Sequence, residues 1–385
     1  MKKREFIFVA SILTTIIMVV GSIQAGTIQT KTSIESLLQT QTLIYQFSHP
    51  VLQENNKYLT VQLNEATGYR NIPGEPILPL IMRTLELPFG TIVKDAQCPI
   101  TRTSEVHLTQ KISSAVRPVP MLLQNQNVQS SENTEIYTNN QLFPDNWFSY
   151  RLTAGLNKDN ILTTFLTIQV NPVRYNPAQD ILQSVDSITI DITYEQPTHP
   201  LSSFTDAYDM IIICKDTYAP LLEPLVTHKN SHGIQTKLVP LTDVYAGTYF
   251  SATGRDNQEK IKYFIKNAKE TWNITYVMLV GNYAQVPVRY SNLVTDAGAE
   301  YQELKFVSDL YYADIYDGAG NFSSWDTNDN GIYAEWPYPE SHPQEDIVDL
   351  VPDVHVGRLA CMFKSEVKTM VDKIITYENT AAGTD

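Results

Sequence analysis

The sequence predicts a chain in two parts, an all-β, sandwich-like first half followed by a parallel α/β second half. Three observations carry that prediction. From Thr27 to about Pro200 the chain is rich in Thr, Val, Ile and Gln, in short alternating runs broken by Pro, Asn and Gly. Beyond Asp206 the apolar runs become continuous, as in Met210-Ile211-Ile212-Ile213-Cys214, which is how a strand reads when both its faces are buried in a parallel sheet. Helix-period stretches alternate with those runs, and the order strand, helix, strand, helix, strand specifies a parallel layer with right-handed crossovers.

The chain opens with Met1-Lys2-Lys3-Arg4, an apolar stretch from Phe6 to Val20, and Gly21-Ser22-Ile23-Gln24-Ala25. A basic start, an apolar segment of about fifteen residues and a small residue at the cut make a secretory signal, with cleavage expected after Ala25. Spanning a bilayer takes about 20 apolar residues, and Thr14-Thr15 interrupts this stretch. Residues 1–25 are therefore read as signal peptide, 26–203 as a β-rich domain and 204–385 as an α/β region. The mature chain is expected to be secreted, extracellular and without a stable membrane span.

In the first half, Ile161 to Val170 and Ser187 to Tyr194 are the clearest strands, and in the second of these the apolar residues fall on one face. Turn signals at Pro73-Gly74, Pro88-Phe89-Gly90 and Asn176-Pro177 separate such runs. No His, Asp, Glu or Cys cluster here has catalytic or metal-binding spacing, so this half reads as a packing or covering domain. In the second half the strand ending at Cys214 leads to a helix from about Thr217 to Asn230, stopped by Gly233, and then to a strand from Thr236 to Val239. Asp256 with Glu259 three residues on has capping-box spacing and opens a helix whose apolar face is Ile261, Phe264, Ile265 and Ala268. Tyr276 to Gly281 is a third buried strand, Val354 to Leu359 a fourth, and Ser365 caps a last helix carrying Val367, Met370, Val371 and Ile374.

A length of 385 residues suggests two or three domains at about 100 to 200 residues each. Lys plus Arg total 28 against 42 for Asp plus Glu, a net charge of −14, and a phosphate-tracking nucleic-acid binder would carry the opposite sign. With 43% hydrophobic and 18% charged residues the chain can build real cores. Cys98, Cys214 and Cys361 are too few and too scattered for a disulfide scaffold or a closed thiolate zinc site.

Cys214 closes a parallel strand at the end where open α/β sheets place ligands, and His228 and His232 lie on or just after the next helix. This is the dyad the chain itself could offer. The preferred reading is that Cys214 is a small buried hydrophobe. Cys98 and Cys361 are likewise assigned to packing, and His355 to a hydrogen-bonded structural role. His49, His107, His199 and His342 sit in loops or edges that nothing marks as ligand sites.

The most informative polar cluster is Asp317-Gly318-Ala319-Gly320-Asn321 followed by Asp326 to Glu335. Oxygen ligands at Asp326, Asn328 and Asn330, with Gly331 allowing a sharp turn, reproduce the first half of a calcium-binding EF-hand loop. The match then fails, because the twelfth position is Pro337 and the available carboxylate, Glu335, comes two residues early. The alternative is a solvated Asn/Asp/Gly turn.

Several segments of the second half together resemble the gingipain family of cysteine peptidases: Tyr276 to Asn282 with Val286-Pro287, Ser308-Asp309-Leu310-Tyr311-Tyr312-Ala313-Asp314, Pro352-Asp353-Val354-His355-Val356-Gly357-Arg358, and the helix Val367 to Glu378. The first half resembles the pro-domain of such enzymes through Pro73 to Pro79, Leu87-Pro88-Phe89-Gly90 and Asn171 to Pro177. The resemblance implies a caspase-like catalytic domain in which a cysteine and a histidine cleave peptide bonds. It also places both catalytic residues after Asp385, so the chain is expected to be inactive alone. It adds two calcium positions, Asn282, where a neutral amide stands for an acid, and Asp353.

The sequence thus yields an expectation: the precursor portion of a secreted gingipain-type endopeptidase, with peptide or protein substrates, structural calcium held by Asn282, Asp317, Asp326, Asn328, Asn330, Glu335 and Asp353, and a pro-domain able to contact the catalytic region. The alternatives are a transpeptidase of similar fold that processes exported proteins, and a non-catalytic, calcium-stabilised extracellular binding protein.

Overall fold

The computed structural model describes residues 28–31, 38–55, 57–116, 132–197, 208–295, 305–338 and 346–380. The signal segment, the join at 198–207, His199 and His342 lie outside them.

In the first half, β1 (Ile28–Lys31), β2 (Leu38–Gln46), β3 (Gly68–Arg70), β4 (Leu78–Pro88), β5 (Ile92–Gln97), β6 (Phe148–Leu156), β7 (Leu162–Val170) and β8 (Ser187–Glu195) form two four-stranded antiparallel sheets. Their orders are β1-β2-β8-β5 and β3-β4-β7-β6. The alternation in β8 buries Ile188, Ile190, Ile192 and Tyr194 on one face, as the period of two requires. They share one core with Leu43 and Tyr45 of β2 and with Leu166, Ile168 and Val170 of β7. The two sheets therefore pack face to face, the sandwich that the sequence predicts. A smaller core around Leu59, Ile112 and Tyr175 joins the hairpin of Val51–Asn55 and Tyr58–Gln62 to a three-stranded sheet of Ser104–His107, Val173–Asn176 and Ile181–Ser184.

The second half is built from β9 (Met210–Cys214), α1 (Ala219–Ser231), β10 (Thr236–Pro240), α2 (Leu241–Ala246), α3 (Asn257–Trp272), β11 (Tyr276–Val280), β12 (His355–Leu359) and α4 (Lys364–Thr380). The strands pair in parallel in the order β10-β9-β11-β12. Met210, Ile212 and Cys214 pack with Leu222 and Leu225 of α1 and Val367 and Val371 of α4, while Ile211 and Ile213 pack with Ile261, Phe264, Ile265 and Ala268 of α3. Helices thus cover both faces of the sheet, which explains why β9 has no polar position. The long connection from β11 to β12 carries a small sheet of Arg289–Thr295, Lys305–Ser308 and Glu335–Tyr338.

The caps follow the sequence at one helix and depart from it at another. Asp256 is the N-cap of α3 and accepts the Glu259 N–H at 2.8 Å, while the Glu259 carboxylate accepts the Arg255 N–H at 2.5 Å. Ser365, expected to cap α4, lies inside it; the Glu366 carboxylate instead accepts the N–H groups of Met362 and Phe363 at 2.7 and 3.1 Å. A carboxylate reaches further back than a serine hydroxyl and suits the positive end of the helix dipole.

Candidate functional site: a buried acidic region between the two halves

At the end of β9, Cys214 is fully buried between α1 and α4. Burial, followed by the charges of Asp216 and Glu223, pushes its thiol up to about 12, the opposite of what a nucleophilic thiolate needs. His228 is bonded through Nε2 to Glu378 Oε2 at 2.9 Å, and His232 through Nδ1 to the His228 carbonyl at 2.8 Å. Neither imidazole makes a hydrogen bond to the Cys214 thiol. Cys361 is buried in the same core as Cys214. Half-buried Cys98 is pushed up to about 11 by burial.

The residues expected to hold calcium lie in separate places. Asn282 Oδ1 accepts the Ala284 N–H at 2.9 Å and shapes the turn after β11. Asp317 Oδ1 accepts the N–H groups of Ala319 and Asn321, each at 2.9 Å. Asp326, Asn328, Asn330 and Glu335 do come together, but as a loop of self-satisfied turns. Asp326 Oδ1 accepts the Asn330 N–H at 2.9 Å, and Glu335 Oε2 accepts the side-chain amides of Asn328 and Asn330 at 3.0 and 2.8 Å. The loop's counter-charge is Arg255, whose Nη1 donates to Asp326 Oδ2 at 2.6 Å and to Asp329 Oδ1 at 2.8 Å. Among the described residues no three His, Cys, Asp or Glu side chains are arranged to hold a metal ion. The seven positions do not form one hard-cation shell, which needs six to eight converging oxygens.

Asp353 belongs elsewhere, among acids that the sequence reading passed over. It is fully buried, and its Oδ2 accepts the N–H groups of Ile315 and Tyr316 at 2.6 and 2.8 Å, while its Oδ1 has no partner. Burial raises its carboxyl well above the usual range, and Asp314 and Asp349 add to the rise. Asp314 is fully buried as well and receives the Trp325 indole N–H at 3.0 Å. Opposite these acids is Lys262, fully buried under the Tyr311, Phe322 and Trp325 rings, where desolvation pulls its ammonium down to about 7.

This region is also where the two halves meet. The hairpin of β6 and β7 lies against residues 348–355. Arg151 Nη2 donates to the carbonyls of Val348 and Asp349 at 3.1 Å each, the Ala154 N–H to Asp349 Oδ2 at 2.8 Å, and the Leu156 N–H to the Pro352 carbonyl at 2.9 Å. At the hairpin tip Asn160 Oδ1 meets His355 Nε2 at 2.9 Å, and the His355 ring stacks on Tyr276. A Cβ at Gly155 would overlap Val351, and one at Gly318 would overlap the Leu152 backbone. Ala154 is fully buried inside the core of the α/β half, with Phe89 and Leu162 packed against that core.

Sequence reasoning gave no role to Arg255 or Arg289, and named Arg358 only as part of a family-like segment. Arg289 forms a double hydrogen bond with the Asp256 carboxylate, 2.8 Å on each arm, which ties the small sheet to the start of α3. Arg358 grips Asp309 at 2.6 and 2.7 Å and also donates to the carbonyls of Gly281 and Val286, fixing the loop at the carboxyl end of β11. The two-armed reach of Arg suits such sites, but nothing local in the sequence signals the partner.

Residues 204–385 match the family model of peptidase family C25, and residues 47–214 match the model of its propeptide. Two curated gingipain R1 sequences of Porphyromonas gingivalis are 23% identical over alignments that cover 79% of this chain and 28% and 16% of theirs. The chain therefore spans less than a third of the length of these relatives. Among solved structures, the complex of Porphyromonas gingivalis RgpB pro- and mature domains aligns with 45% of this chain and 84% of its own at 11% identity and TM-score 0.33. A structure describing zymogenic latency of gingipain K from the same organism aligns over 45% of this chain and 95% of its own at 13% identity and TM-score 0.35. The two family models between them run from residue 47 to residue 385, propeptide first and peptidase after, and the chain belongs to peptidase family C25.

Proposed function

We propose that this chain is the pro-domain and first peptidase subdomain of a secreted gingipain-type cysteine endopeptidase, with the β half serving as an intramolecular cover on the α/β half. The observation that carries the reading is Ala154, a residue of the propeptide-matched half buried in the core of the peptidase-matched half. A free-standing domain would not place its own backbone there. Peptide-bond hydrolysis needs a thiolate, a nearby imidazole and backbone donors for the oxyanion. Cys214 supplies none of this, since its thiol is buried and its neighbouring histidines are bonded elsewhere. The resemblance to gingipains, of which this chain aligns with less than a third, is what assigns the dyad to sequence outside residues 1–385.

The test is expression of the longer reading frame containing residues 1–385 and assay of secreted material against a mixed peptide library with reductant. Thiol-dependent hydrolysis that appears once the β half is cut away, and persists in Cys214→Ala, is the expected result. No turnover after removal of the β half, or turnover abolished by Cys214→Ala, would sink it.

The calcium expectation is recast in the same reading. The loop from Asp326 to Glu335 takes its counter-charge from the Arg255 guanidinium and its turns from backbone N–H groups, and calcium would have to displace Arg255 to bind there.

A further inference from the structure

Residues 346–354, which lead into β12, form neither helix nor strand, and their polar groups are satisfied from both halves of the molecule. The Val348 and Asp349 carbonyls accept from Arg151 Nη2, the Pro352 carbonyl from the Leu156 N–H, and Asp349 Oδ2 from the Ala154 N–H. All of these donors belong to β6, an edge strand of its sheet. Toward the α/β half, the Leu350 N–H donates to Asp314 Oδ2 at 3.2 Å and the Asp353 N–H to the Ala313 carbonyl at 2.8 Å. The bond from the Val351 N–H to Asp349 Oδ1 is internal to the segment and anchors it to neither half.

The segment is also the wrong way round for a surface loop of the α/β half alone. Ile347 and Leu350 are 71% and 42% exposed, whereas Asp349 between them is 8% exposed. An acid turned in and two large apolar side chains turned out reverse the usual partition. Leu350 has φ +62°, a left-handed conformation that a bulky side chain rarely adopts. Such a backbone persists only where its surroundings over-determine it, and here β6 supplies the donors that keep Asp349 inward.

We propose that residues 347–352 are a conformational switch set by the β half. With the β6–β7 hairpin docked, Asp349 is held inward; with the hairpin withdrawn, it turns out to water and the segment lets go of Asp314 and Ala313. The inference rests on the contact between the halves and stands whether or not the peptidase reading does. Withdrawal leaves the Val348, Asp349 and Pro352 acceptors without their β6 donors, and a buried polar group without a partner is costly enough to move to where water can reach it. Turning Asp349 outward pulls directly on Leu350 and, through Val351 and Pro352, on Asp353, whose carboxylate holds the Ile315 and Tyr316 N–H groups. The loss of the hairpin is thus carried into the α/β half as an order-to-disorder change.

The test uses the intact chain, residue-resolved amide exchange at a single pH, and two variants of β6. Arg151→Met removes the donor to the Val348 and Asp349 carbonyls, and Ala154→Pro removes the N–H from Asp349 on an edge strand, where proline is tolerated. The informative amides are those of Leu350 and Asp353, because their acceptors lie in the α/β half and neither variant touches those bonds directly. Their protection should fall by about tenfold or more in each variant, while the amides of Met210–Cys214 in the parallel sheet hold theirs. Unchanged protection at Leu350 or Asp353 in either variant overturns the switch, since the hairpin would then rest on a surface formed without it. A fall shared by Met210–Cys214 overturns it too, because the change would not be local to the segment. Should Ala154→Pro fail to fold, Arg151→Met decides by itself.

Discussion

Two isoleucine-rich strands in this molecule, β8 in the sandwich and β9 in the parallel sheet, obey different rules. In β8 only every second side chain is buried, whereas in β9 all five are. The difference lies in what covers them, a second sheet on one face against helices on both. It extends to the polar groups. The β half pairs its strands with Thr, Gln and Asn side chains, as in Thr84 with Thr167 and Gln53 with Gln62. The α/β half and its long insertion rely on part-buried two-armed ionic contacts, with Arg289 on Asp256 and Arg358 on Asp309. A one-sided sheet leaves polar groups near water, while a two-sided sheet pushes chain crossings into loops whose charges must find each other.

The comparison would break first at the cores. Ile212→Ala in β9 and Ile190→Ala in β8 should each destabilise by about 2–5 kcal/mol, but Ile211→Ala should match Ile212→Ala while Thr189→Ala stays within about 0.5 kcal/mol. Denaturant midpoints decide, and a large loss at Thr189 would mean the sandwich buries both faces of β8. The ionic contrast is sharpened by Asp256→Ala, which removes a helix cap and leaves the buried Arg289 without its carboxylate. A loss of about 2–3 kcal/mol is expected, with the melting temperature recovering in a double variant that also carries Arg289→Met.

The meeting of the two regions is tested by Gly155→Val. Crowding against Val351 should cost about 1–3 kcal/mol and turn a single calorimetric transition into two, one for each half; a single unaltered transition would show that the halves are not coupled through the hairpin. The smallest effect belongs to the acidic loop. Arg255 is part-exposed, so Arg255→Gln should lower stability by no more than about 1 kcal/mol. Calcium against chelator should leave the melting temperature of the parent chain unchanged and raise that of Arg255→Gln, whose Asp326 and Asp329 have lost their cation. A calcium response in the parent that vanishes in Asp326→Ala would restore the metal to the loop.

Much of the architecture was legible because strands and helices write their burial into local periodicity. β8, β9, β11 and α3 lie within a residue or two of where alternation, apolar runs and the Asp256 cap put them. Ser365 misled because a serine near a helix start resembles a cap whichever residue finally reaches the free N–H groups. The candidate site was less legible. The run Asp326, Asn328, Asn330 has a spacing that suits a cation, and the same spacing suits three successive turns in which each side chain accepts an N–H further along the loop. In the structure the charge set against this loop is Arg255, 71 residues away in sequence from Asp326.

By itself the sequence determined the two-part fold, the parallel pairing in the second half and the family, since each depends on residues near one another in the chain. The tertiary structure alone decided which acids are buried together and how the halves are joined. Ala154 meets Asp349 across 195 positions, through a backbone N–H that every residue except proline possesses. Such a contact leaves no mark on residue choice apart from the room it needs, and at Gly155 and Gly318 that room appears in the sequence only as two ordinary glycines.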